Sequence, residues 1–114
     1  MSDELQAGIN FFNAGRYFDA HEAWEEMWRR ARGPLRLYYQ GLVQAAVGMH
    51  HLGRGNRNGG QAQLAKALAK LEQYPDRFCG LENGKLVLDL KRTLQDLTPQ
   101  QFTIERIGTH RELC

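Results

Sequence analysis

The sequence predicts a single all-α domain, residues 1–114, of about five helices: two packed helical hairpins, loosely tetratricopeptide-like, and a C-terminal helical extension. Three observations lead there. Apolar residues recur at i, i+3, i+4 and i+7 through successive segments, the period that lays them along one helix face. Clusters of glycine and proline separate those segments. Sliding the chain by about 40 residues sets Phe12 on Leu52, Gly15 on Gly55, Trp24 on Leu64 and Trp28 on Leu68, so each half reads helix, glycine turn, helix. The second copy lacks the tyrosine of Gly15-x-Tyr17-x-x-Ala20, and an array normally needs three or more units. The echo is therefore read as two antiparallel hairpins and not as a repeat family.

The first helix is expected over residues 3–14, with Leu5, Ile9 and Phe12 at helical spacing. Gly15 suits its stop, because glycine accepts the left-handed conformation that ends helices. Residues 17–31 form the second helix, with Tyr17, Ala20, Trp24, Met27 and Trp28 in one arc. Gly33-Pro34 breaks the chain, and proline fits the first turn of a third helix, where its missing N–H is not needed.

That third helix, residues 34–52, is apolar nearly all round, the mark of a central element. Its stripe of small residues, Gly41, Ala45 and Gly48, predicts close approach of another helix, expected to be the one carrying Trp24 and Trp28. Residues 53–60, with four glycines, read as a loop, and residues 61–74 as a fourth helix seamed by Leu64, Leu68 and Leu71. Pro75 ends it. Residues 78–84 read as a connection, and Leu86, Val87, Leu90, Leu94 and Leu97 mark a fifth helix. Thr98-Pro99 suggests a cap opening a final short piece.

Hydrophobic residues at 42% and charged residues at 25% are the proportions of an ordinary globular protein, which excludes disorder. A net charge of +2 is too small to point to nucleic acid, since phosphate-tracking proteins concentrate more basic charge on one face. Arg29, Arg30, Arg32 and Arg36 flank one loop, and cations at helix C-termini suit the macrodipole. Cys79 and Cys114 form no framework, so a reducing cytoplasm is the natural compartment. The N-terminus, Met-Ser-Asp-Glu-Leu-Gln, is unlike a secretory signal. The longest uncharged run, residues 37–53, is too short and too polar to span a bilayer. Gly59-Gly60 lacks the preceding strand and the lysine of a phosphate loop.

Chemistry is concentrated on the second and third helices. His21 and Glu25 lie one turn apart at the margin of the apolar arc, with Trp28 to one side and Phe18 to the other. Both are expected to be half buried, and a half-buried carboxylate needs a partner. On the third helix Gln40, Gln44 and His51 form a polar stripe, with His50 about 100° away. Antiparallel packing across the short loop brings Gln44 level with His21, and His50 or His51 about one turn further along. The expected site is therefore His21, Glu25, Gln40, Gln44 and His51, over a structural core of Trp24, Trp28, Gly41 and Gly48.

Three uses of that cluster compete. It can be a buried hydrogen-bond network that sets helix register. It can hold a divalent metal on His21, Glu25 and His51, although His-Glu-x-x-Glu is neither the His-Glu-x-x-His of zinc hydrolases nor the Glu-x-x-His of di-iron bundles. Or it can line a small-molecule pocket and do acid–base work, a carboxylate beside tryptophans having its pKa raised.

Phe-Asn-x-Gly-x-Tyr-Phe-x-Ala-His-Glu-x-x-Glu-x-x-Trp over residues 12–28, Tyr-Gln-Gly-Leu-x-Gln over 39–44 and His-x-x-Arg-Gly-Asn over 51–56 resemble a known family. It is the small helical proteins of domain of unknown function 309. The resemblance covers about residues 8–73, leaving a C-terminal helix and tail over 84–114. It implies a compact all-helical domain, prokaryotic and cytoplasmic, and carries no catalytic assignment. The leading expectation is a module binding a small molecule or a protein through the His/Glu/Gln cluster. A metal-dependent hydrolase or other small-molecule enzyme using the same cluster is the alternative. No cofactor is assigned beyond a divalent metal that is not favoured, no membrane partner is expected, and a homo-oligomer is left open.

Overall fold

The structure, a computed structural model, describes residues 3–98 and 101–107. Its elements are α1 (Glu4–Asn13), α2 (Tyr17–Arg30), α3 (Pro34–Gly53), α4 (Arg57–Leu71), a two-stranded hairpin of β1 (Arg77–Phe78) and β2 (Leu81–Glu82), and α5 (Asn83–Asp96). Helices α1 and α2 make one hairpin and α3 and α4 the other, with α2 against α3 between them. The core runs through Phe12, Trp24, Tyr38, Leu42, Leu64 and Leu71, each with no exposed surface. Among the described residues no helix is long and apolar enough to cross a membrane.

The internal echo is physical. Gly15 and Gly55 both take positive φ, 79° and 81°, and the two turns make the same backbone bonds. Arg16 N donates to Phe11 O at 2.8 Å and Gly15 N to Phe12 O at 3.0 Å; Asn56 N donates to His51 O at 2.8 Å and Gly55 N to Leu52 O at 3.0 Å. These are the bonds of a Schellman-type helix ending, which needs a left-handed residue and so selects glycine. The close approaches repeat as well. A Cβ on Gly8 would lie 2.0 Å from Trp24 Nε1, and one on Gly48 would lie 2.6 Å from Leu64 Cδ2.

That geometry corrects the expected use of the small stripe. Gly41 and Gly48 face Leu71 and Leu64 of α4, not the tryptophans of α2. Trp24 instead fills the space above Gly8 of α1 and donates its Nε1–H to Leu5 O at 3.2 Å. A period places small residues on one helix face, but two neighbours compete for α3, and the leucines of α4 are the pair that fits there. Trp28, expected in the core, is only partly buried, and the Arg36 guanidinium lies 4.4 Å from its ring centre, a cation–π contact.

Helix α4 starts four residues earlier than expected. Asn56 Oδ1 accepts from Gly59 N at 2.9 Å, and that N-cap carries the glycine-rich segment into the helix. The expected connection over 78–84 is partly a β-hairpin, with Cys79 and Gly80 at positive φ. Residues 101–107 are extended and lie along it: Leu81 bridges Arg106, Glu82 N donates to Glu105 O at 2.9 Å and Ile107 N to Gly80 O at 2.7 Å. Asn13 of α1 clamps this segment from the other side, donating to Ile104 O at 3.0 Å and accepting from Ile104 N at 2.8 Å. Thr98 N and Oγ1 both donate to Asp96 Oδ1, at 3.1 and 2.9 Å. Pro99, with the rest of the expected cap, lies outside the described residues, as do His110 and Cys114.

Candidate functional site

Helix α2 positions His21 because its wheel puts that residue beside the apolar arc that ends in the fully buried Ala20 and Trp24. The imidazole is 20% exposed and the Glu25 carboxylate 33%, and His21 Nε2 stands 3.7 Å from Glu25 Oε1. That separation is an electrostatic contact and not a hydrogen bond. Arg29 holds the same carboxylate oxygen at 3.4 Å, so Glu25 lies between an imidazole and a guanidinium of its own helix.

The pairing expected across the seam does not form. Glu25 meets neither Gln40 nor Gln44, and Gln44 Oε1 is buried with no hydrogen-bond partner among the described residues. Two further atoms on the facing helix are in the same position, His21 Nδ1 and Trp28 Nε1. Buried polar atoms are nearly always paired, because an unmade bond costs about 1–3 kcal/mol. The α2–α3 seam thus contains more hydrogen-bonding capacity than the two helices consume between them.

One turn beyond, α2 and α3 together line a pocket of about 310 Å³ formed by Phe18, His21, Val47, His50 and His51. It brings together His21 and His51 of the expected set and adds His50, while Glu25, Gln40 and Gln44 do not line it. The Phe18 ring is 51% exposed, unusual for so large an apolar group. Its centroid is 5.4 Å from that of His21 and 5.5 Å from that of His50, so one phenyl ring spans imidazoles of both helices. The His50 and His51 rings are 6.2 Å apart, and His51 Nδ1 is 3.4 Å from Asn56 Nδ2 at the start of α4.

His50 protonates less readily than a free imidazole, first because of partial burial, then because Arg54, His51 and His21 oppose a further positive charge. Metal ligation by His21, Glu25 and His51 is not assembled: among the described residues no three His, Cys, Asp or Glu side chains form a group that could hold a metal ion. Glu25 is instead engaged by His21 and Arg29 of its own helix. The signal for His50 was present in the sequence, as one of two adjacent histidines, but that both would share a pocket with His21 depends on how α2 packs on α3.

The sequence model of the family described as Domain of unknown function (DUF309) matches residues 5–63, just over half of the chain. The chain belongs to this family. An uncharacterized protein of Aquifex aeolicus (strain VF5) is 31% identical over 84 residues, covering 73% of this chain and 25% of that protein. The uncharacterized protein YpuF of Bacillus subtilis (strain 168) is 34% identical over 82 residues, covering 69% of this chain and 47% of that protein. The chain therefore spans about half the length of one of these curated relatives and a quarter of the other. The DUF309 match runs from α1 into the first half of α4 and includes every residue lining the histidine pocket, whereas the β-hairpin, α5 and the 101–107 segment fall outside it.

Proposed function

We propose that this DUF309 domain is a small-molecule binding module whose site is the pocket between α2 and α3. The observation that carries the reading is the convergence of three imidazoles and one half-exposed phenyl ring from two helices on a cavity of about 310 Å³. A largely apolar cavity with a few convergent polar groups is the usual form of a ligand site, and this one is at the lower end of the size range. A molecule of one ring or a short chain fits that volume. The unpaired polar atoms along the adjoining seam support the same reading, since a site kept for a ligand need not satisfy its groups internally.

His21, His50 and His51 are the residues assigned to ligand contact, with Glu25 behind His21. Glu25 orients His21 through the contact at 3.7 Å. Catalysis is not part of the proposal: among the described residues no serine, threonine, cysteine, lysine or carboxylate side chain lines the pocket beside its imidazoles, and no three ligands gather for a metal.

A fragment library screened by NMR against the full chain tests it. Binders should shift the imidazole Cε1–H signals of His21 and His51 together, and Phe18→Ala should weaken them about tenfold through lost apolar contact. Fragments that bind only elsewhere, leaving all three imidazoles unmoved, would remove the site.

A further inference from the structure

The lining of the histidine pocket has an electrostatic sign. Among the described residues no carboxylate lines it. The carboxylate on His21 is Glu25, already shared with Arg29. Around His50 the titratable and charged neighbours are His51 from its own helix, Arg54 just past the end of that helix and His21 from α2, all of them neutral or cationic. Phe18 and Val47 supply the apolar remainder, and Phe18 covers imidazoles from both helices. Each imidazole has a ring nitrogen able to donate once protonated, so a cavity that holds three of them and no acidic group is built for an acceptor that brings negative charge.

We propose that the pocket takes a small organic carboxylate with an apolar body, the body against Phe18 and Val47 and the carboxylate facing His50 and His51. The proposal rests on the binding reading above and names the class of ligand. Its consequence is proton linkage. Burial first, and then Arg54, His51 and His21, make His50 harder to protonate than a free imidazole, and a bound carboxylate offsets that penalty, so the complex takes up the proton at a higher pH than the free domain does. Affinity is then lowest at alkaline pH, rises as pH falls through the His50 pKa of the complex and levels off below that of the free domain.

Phenylacetate and hexanoate, each paired with its uncharged amide, separate the possibilities when titrated into the full chain at pH 6 and pH 8 with imidazole Cε1–H shifts as the readout. The carboxylates should bind several-fold more tightly at pH 6 than at pH 8, with about tenfold the ceiling set by one unit of pKa shift on one group. The amides should bind more weakly and show no pH dependence. His50→Gln, at a partly exposed position, should keep the fold and lose most of the pH dependence. Acid and amide binding alike at both pH values would overturn the carboxylate assignment and leave the pocket as a neutral-ligand site. Full pH dependence in His50→Gln would overturn the assignment of the proton. If neither acids nor amides move any pocket imidazole in a folded domain, the inference and the binding reading both fall.

Discussion

Gly48 and Gly53 lie five residues apart on α3 and should respond oppositely to the same substitution. A Cβ at Gly48 would sit 2.6 Å from the Leu64 side chain and 3.1 Å from its backbone nitrogen, and backbone cannot give way as a flexible side chain can. Alanine gains about 1 kcal/mol in helix propensity, but overpacking typically costs about 1–3 kcal/mol. Gly48→Ala should therefore lower stability by about 1–2 kcal/mol in urea unfolding. Nothing lies within 4 Å of a Cβ at Gly53, so Gly53→Ala should be neutral or stabilise by up to about 1 kcal/mol. Glu25 belongs to this scale as well. Its partners are partly exposed groups of its own helix, and such pairs contribute about 0–1 kcal/mol, so Glu25→Gln should shift stability by less than about 1 kcal/mol. A loss of several kcal/mol would mean that the carboxylate is a structural strut. His50 adds a pH term of definite sign. Its folded-state pKa lies below the unfolded value, so the unfolded chain binds the proton first as pH falls. The contribution is present above about pH 6.5 and is lost as pH drops from there through the depressed folded pKa. Thermal melts from pH 8 to 5 should show His50→Gln losing less stability toward acid than the parent.

The helices, breaks and doubled glycine turn were legible because their causes are local: a period of 3.6, a proline at the first turn of α3, and Gly15 and Gly55 where the backbone needs positive φ. The start of α4 was misread for a local reason too, since four glycines in residues 53–60 outweighed the asparagine that caps the helix. Asn83, read as part of a connection, proves to be a joint between elements. Fully buried, it accepts from the Tyr38 hydroxyl at 3.0 Å and donates to the carbonyls of Leu71 at 2.9 Å and Pro75 at 3.2 Å. One amide thus ties α3, the end of α4 and the start of α5. Asn83→Leu strands the Tyr38 hydroxyl and the Leu71 carbonyl in the core, at about 1–3 kcal/mol for each group left unpaired. Chemical denaturation should show a loss of about 2–4 kcal/mol, with Tyr38→Phe recovering part of it in the double variant.

Across the whole molecule, Asn13 carries information that helix patterning cannot. Its side chain pairs with both backbone groups of Ile104, fastening the extended 101–107 segment between α1 and the β-hairpin. Asn13→Ala removes both bonds and should cost about 1–2 kcal/mol. Hydrogen exchange should then accelerate at Ile104 and Glu105 while the α3–α4 core stays protected, because the bonds lost belong to the segment and not to the packing of α3 on α4. The sequence by itself determined five helices, their breaks, the hairpin echo and the His21–Glu25 pair, since each depends on residues a few positions apart. Only the tertiary structure decided which face of α3 meets α4, that both adjacent histidines join the pocket, and where the last described segment pairs. Those choices compare whole surfaces: leucines against glycines on α3, one crossing of α2 over α3, one asparagine reaching across to a strand. No short window contains both sides of such a comparison, and the winning contact is settled by fit.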